Sequence, residues 1–154
     1  MLFRSYLIFK NLHLLDNIWA LSALYVTMNL PLSVWMLRSF LKEIPTELVE
    51  AAELDGASIP KILFRVLAPI SLPGISATAL ISFIFTWNEF LMAINLTGFH
   101  AATGPVYLVS FITAEGLFFA HLAAVSILVS LPVVIAGWVA QDKLVRGLAL
   151  GAVK

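Results

Sequence analysis

The chain has 154 residues, of which 61% are hydrophobic and 12% charged, and its mean hydropathy is +0.99. Soluble domains run nearer half apolar and about a quarter charged, so an ordinary soluble domain is excluded. Nine Lys and Arg offset nine Asp and Glu, and there is no Cys, which argues against a nucleic-acid partner and excludes a disulfide framework, a thiolate nucleophile and a Cys-ligated metal.

A membrane span needs roughly 20 apolar residues. Residues 1–9 are too few, carry Arg4 within the apolar run and offer no small-residue cleavage site. They are expected to be the remnant of an earlier span and not a cleaved signal peptide. The first full span is predicted over residues 18–37, closed by Arg38, Lys42 and Glu43 and kinked at Pro31. Its polar residues Ser22, Thr27, Asn29 and Ser33 are expected to face helices that this chain does not supply.

Residues 45–60 form a polar interruption. Thr46 suits an N-cap, Glu47 and Glu50 suit the positive end of a helix dipole, and Gly56 suits a left-handed terminator. Ser58 can cap the next helix, with Pro60 in its first turn. The prediction is a short helix-turn-helix. Glu47, Glu50 and Glu53 recur every three residues as an acidic stripe. A charged stripe is often only a solvated face. A loop that merely connects spans, however, needs neither a capped helix nor a Gly-broken turn, whereas a docking element for another subunit needs both.

A second span is predicted over residues 66–90, containing Pro69 and Pro73, and a third over 117–139, containing Pro132. Residues 141–154 form a tail. Arg38, Lys42, Lys61 and Arg65 crowd the first loop, and Lys143, Arg146 and Lys154 the tail, with no Lys or Arg between Arg65 and Lys143. Residues 45–60 and the tail are therefore expected to be cytoplasmic and the 95–116 loop external. The fold class is an all-α, polytopic membrane helix bundle with a short cytoplasmic helix-turn-helix, organised as one membrane domain.

The polar interruption resembles the signature of the membrane-spanning permease subunits of bacterial binding-protein-dependent ABC importers: Glu-Ala-Ala, three residues, Gly, nine residues, then Ile-x-Leu-Pro. Here Glu50-Ala51-Ala52, Gly56 and Pro69 stand in register, with Val66-Leu67-Ala68 before the proline. Thr86-Trp87-Asn88-Glu89-Phe90 and the Gly-rich ending 144–154 are similar to the carbohydrate-uptake, maltose-type branch. The resemblance begins near Asn11, and it implies the C-terminal portion of such a subunit, since these permeases usually have about six spans in nearly twice this length.

It implies ATPase docking through Glu47, Glu50, Ala51, Ala52, Asp55, Gly56 and Ala57, with ATP hydrolysis in a separate chain. Partners would be a cytoplasmic ATP-binding subunit, a second permease subunit and an external solute-binding protein, and the cargo a sugar or polyol crossing the bacterial inner membrane. Asn88 and Glu89, at the external end of the second span, are candidates for the substrate pathway, with interfacial capping as the alternative. No enzymatic motif is present: there is no phosphate-binding Gly loop, nucleophile elbow or His-Glu-x-x-His. His13, His100 and His121 lie too far apart for a metal site, and no cofactor is expected. A membrane scaffold, a membrane-embedded enzyme or a secondary carrier is the alternative. The latter two would need paired titratable groups at mid-membrane depth, which the span interiors lack.

Overall fold

The fold is described from a computed structural model covering residues 2–113 and 116–152. Helices dominate it. In chain order they are α1 (Leu2–Asn11), α2 (Ile18–Lys42), α3 (Thr46–Leu54), α4 (Ile59–Ile62), a π-helical turn (Leu63–Leu67), α5 (Ala68–Ile70), α6 (Leu72–Trp87), α7 (Leu91–Leu96), α8 (Gly104–Val109) and α9 (Phe119–Ala152). One small departure from the all-α expectation lies between α8 and α9. There β1 (Ile112–Thr113) pairs antiparallel with β2 (Gly116–Leu117), with Ile112 opposite Leu117.

By length and apolarity, α2 and the Phe119–Gln141 part of α9 can each cross a membrane. The Ile59–Ile70 and Leu72–Trp87 segments pass the same test only together, and a bend of 77° separates them. Residues 66–90, expected as one span, divide at that bend. The cause is local: Pro73 has no N–H to give the carbonyl of Pro69, so the ladder breaks around Ser71. α9 runs on from the predicted span through most of the tail, and residues 153–154 lie outside the described residues.

The chain forms two compact units, Met1–Asn29 with Phe83–Ile135 and Leu30–Ser82 with Ala136–Lys154. In the first unit, Leu21 and Tyr25 of α2 are buried against Ala93 of α7, with Met92 and Val106 packed on them. These are the only two buried residues of α2. Ala93 is fully buried, which brings α7 close to α2. Many large apolar side chains among the described residues are exposed, Trp19 at 81%, as expected of helices that meet lipid or further helices.

A second feature of this unit is a clasp between two loops. Asp16 has a φ of 55°, a left-handed conformation that Asp tolerates better than most residues. Its N–H donates to the Leu96 carbonyl at 2.9 Å. Its carboxylate accepts the backbone N–H of Gly98 at 2.7 Å and of Ala101 at 2.9 Å on Oδ1, and that of His100 at 3.1 Å on Oδ2. These N–H donors, that of Gly98 first, hold the Asp16 carboxyl below the ordinary carboxylate value of 3.8. Its folded-state pKa is depressed, so the clasp's contribution is fully present above 3.8 and is lost as pH falls through the lower folded value. Spin labels at positions 12 and 99 are therefore expected to keep one separation from neutral pH down to that value and to drift apart only in stronger acid. Loosening already at mildly acidic pH would show that the Asp16 carboxylate does not control the contact.

In the second unit, Gly74 of α6 is buried under the ring of Phe40, which a Cβ at that position would overlap. Thr78 is buried and returns its hydroxyl to the Gly74 carbonyl at 2.8 Å. Ser33 and Ser82 join α2 to α6 through their hydroxyls at 3.0 Å. In the first unit, Asn29 Nδ2 donates to Thr86 Oγ1 at 3.1 Å. Two of the polar residues expected to await helices from elsewhere are thus paired inside this chain, a correction with a simple cause. Their four-residue spacing meets the matching spacing of Ser82 and Thr86. Thr27 instead bonds back to the Ala23 carbonyl of its own helix at 2.9 Å.

Candidate functional site

The α3 segment is built as its sequence suggests, with one difference at its start. Pro45, at φ −57° and ψ 133°, occupies the N-cap position, and Thr46 is already helical and makes no cap bond. Proline's fixed φ suits that extended position and leaves Thr46 nothing to cap. At the other end Gly56 adopts φ 71°. Its N–H donates to the Glu53 carbonyl at 2.9 Å, and that of Ala57 reaches back to the Ala52 carbonyl at 3.0 Å. This pair of bonds is a Schellman closure, whose usual apolar contact falls here on Ala52 and Ala57. Both are half-buried. Ser58 takes the next N-cap position with extended backbone, and Pro60 lies in the first turn of α4.

The seven residues predicted for docking therefore divide. Glu47, Glu50, Ala51, Asp55 and Gly56 are exposed, while Ala52 and Ala57 close the turn beneath them. No residue of α3 is buried. Leu54 is 90% exposed and Ile59, just past the turn, 80%. Among the described residues the carboxylates of Glu47, Glu50, Glu53 and Asp55 take no partner within the chain. Acidic side chains flank an uncovered apolar edge.

Asn88 and Glu89 lie in the other unit and differ from each other. Asn88 is exposed, and its amide donates to the Ile84 carbonyl at 2.9 Å. Glu89 is half-buried and engaged: Oε1 accepts the Met92 N–H at 2.7 Å, and Oε2 accepts the Ala93 N–H at 3.1 Å and the Tyr25 hydroxyl at 2.9 Å. Glu89 thus caps the start of α7 and ties it to α2. Tyr25 was not singled out from sequence. The signal available was the placement of Tyr25, Asn29 and Ser33 at i, i+4 and i+8, one face of a helix.

A groove of about 350 Å³ opens beside Asn88, lined among others by Trp87, Pro105, Ser126 and Ser130. The Trp87 indole N–H donates to the Val129 carbonyl at 2.8 Å, in the turn before Pro132. Among the described residues no group of three or more His, Asp or Glu could hold a metal ion.

Residues 1–146 match the model of the family described as binding-protein-dependent transport system inner membrane component. The chain belongs to that family. It is 39% identical over 149 residues to a probable ABC transporter permease protein, y4oR, of Sinorhizobium fredii, covering 97% of this chain and 54% of the relative. It is 37% identical to the trehalose transport system permease protein SugB of Mycobacterium tuberculosis, covering 84% of this chain and 48% of the relative. It is 39% identical to the trehalose/maltose transport system permease protein MalG of Thermococcus litoralis, again covering 84% and 48%. The chain thus spans about half the length of these relatives. As a member of this family it is a multi-pass inner-membrane component of a transport system, and the scaffold, enzyme and secondary-carrier alternatives are not favoured.

Proposed function

We propose that this chain forms part of the membrane path of an ATP-driven importer for a sugar or polyol and docks through α3 onto a cytoplasmic ATPase. The observation that carries the reading is the state of α3, a helix closed at its C-terminal end by Gly56, with no buried residue, with carboxylates that take no partner among the described residues, and with Leu54 and, just past the turn, Ile59 exposed. A helix closed in this way, with its acidic side chains and Leu54 left exposed, suits a partner's groove. ATP binding would close the ATPase dimer, and α3 would pass that motion through the bend at Ser71 to the span. A second permease subunit would complete the path, and an external solute-binding protein would deliver the solute. The sugar class is supported by the relatives named for trehalose and maltose. In this reading ATP hydrolysis belongs wholly to the partner chain. Glu89 supports the shape of the path as a strut, and Asn88, the freer of the two, faces the solute.

The reading is tested in membrane vesicles that hold the chain together with ATPase, second permease and solute-binding protein. Labelled trehalose or maltose is expected to accumulate only with ATP. Accumulation without ATP, or without the ATPase, would overturn the importer reading.

A further inference from the structure

The Asp16 clasp spends a carboxylate on holding two loops together. Its three N–H donors come from residues 98–101, more than eighty positions along the chain, and the Leu96 carbonyl adds a fourth bond. Space is tight as well: a Cβ on Gly98 would lie 3.1 Å from Asp16 Oδ2. Around this contact, Leu96 and Ala101 are buried while Phe99, at the tip of the turn, is fully exposed at 101%. Glu89 and Tyr25 anchor the other end of α7 to the same helix α2. The segment 89–101 is therefore held at both ends through carboxylates: Glu89 accepts the Tyr25 hydroxyl of α2, and Asp16, two residues before α2, accepts the backbone N–H groups of the turn. Charge-assisted bonds of this kind are about twice as strong as neutral ones. Beyond capping α7, these ties fix where α7 and the turn sit against the start of α2.

We infer that Asp16 is a positioning residue of the transport cycle: it locks the turn 98–101 to the start of α2, so that the span and the loop beyond it move as one piece. The inference rests on the importer reading, which supplies the movement of the span that such a link would carry. Two loops joined loosely would absorb a movement of the span, whereas a clasped pair delivers it to the outer end.

The test uses the assembled importer with Asp16→Ala and Asp16→Asn. Asn keeps an oxygen for Gly98 and Ala101 but turns an amide towards the His100 N–H, so it is expected to act as a partial rescue. Asp16→Ala is expected to lower solute-stimulated ATP hydrolysis and uptake at least about tenfold, the scale of one lost charge-assisted bond. Basal ATP hydrolysis and the amount of assembled complex should not change, and Asn should fall between Ala and the native chain. Spin labels at positions 12 and 99 should report one narrow separation in both nucleotide-free and ATP-bound states, and a broad one in Asp16→Ala. Native coupling by Asp16→Ala, or a separation that changes between the two states with Asp16 intact, would overturn the inference. A native complex that takes up no solute would overturn the importer reading itself, and the inference with it.

Discussion

Glu50→Lys and Gly56→Pro are each expected to cut solute uptake at least about thirtyfold while the chain stays in the membrane at its normal level. They reach that result by different routes. Glu50 is exposed and takes no partner within the chain among the described residues, so reversing its charge leaves the fold within about 0.5 kcal/mol. The loss falls on the docking contact alone. Gly56 sits at φ 71° and donates its N–H to Glu53. Proline can supply neither that φ nor that donor, so the turn from α3 into α4 is rebuilt and the acidic face is re-aimed. Gly56→Ala separates geometry from bulk. Nothing lies within 4 Å of a Cβ there, so Ala meets only the cost of a left-handed residue, about 1–2 kcal/mol, and should retain much of the uptake. Normal uptake with Glu50→Lys would remove the acidic stripe from the docking surface.

The second large effect is expected at Glu89. Glu89→Ala leaves the Met92 and Ala93 N–H groups and the Tyr25 hydroxyl without their acceptor in a half-buried setting. A lost hydrogen bond to a charged group is worth about 1.5–3 kcal/mol, and an orphaned buried donor costs a similar amount. The purified complex should therefore melt roughly 5–10 °C lower. Tyr25→Phe removes one of the three bonds and leaves the cap, so about a third of that shift is expected. Glu89→Gln keeps an acceptor oxygen and should sit between them. If Glu89→Ala melted like the native complex but lost uptake, Glu89 would act on the solute directly and not as a strut.

What the sequence made legible was local. The apolar runs of α2 and α9 can be read because a span is a contiguous stretch, and the α3 closure because a left-handed turn calls for Gly in one position, Gly56. The bend at Ser71 was half-legible: Pro69 and Pro73 announce a weakened ladder, but a kinked span and a 77° elbow look alike in sequence. Thr46 gave way to Pro45 at the cap because a fixed φ competes directly with a side-chain bond. The Asp16 and Tyr25 contacts were not legible, since each joins residues more than sixty positions apart and a lone Asp in a loop carries no periodicity. Spacing does leave a trace in the pairing of Asn29 with Thr86 and Ser33 with Ser82, which is visible once both helices are compared.

The central claim is that α3 seats in a cytoplasmic ATPase, and the most direct measurement places a photo-crosslinking residue at position 54, where Leu54 is 90% exposed. Irradiation of the transporting complex in its membrane is predicted to join this chain to the ATP-binding subunit, with the yield falling sharply when Gly56→Pro is added. A complex that transports normally while position 54 crosslinks only to lipid, or to nothing, would contradict the account.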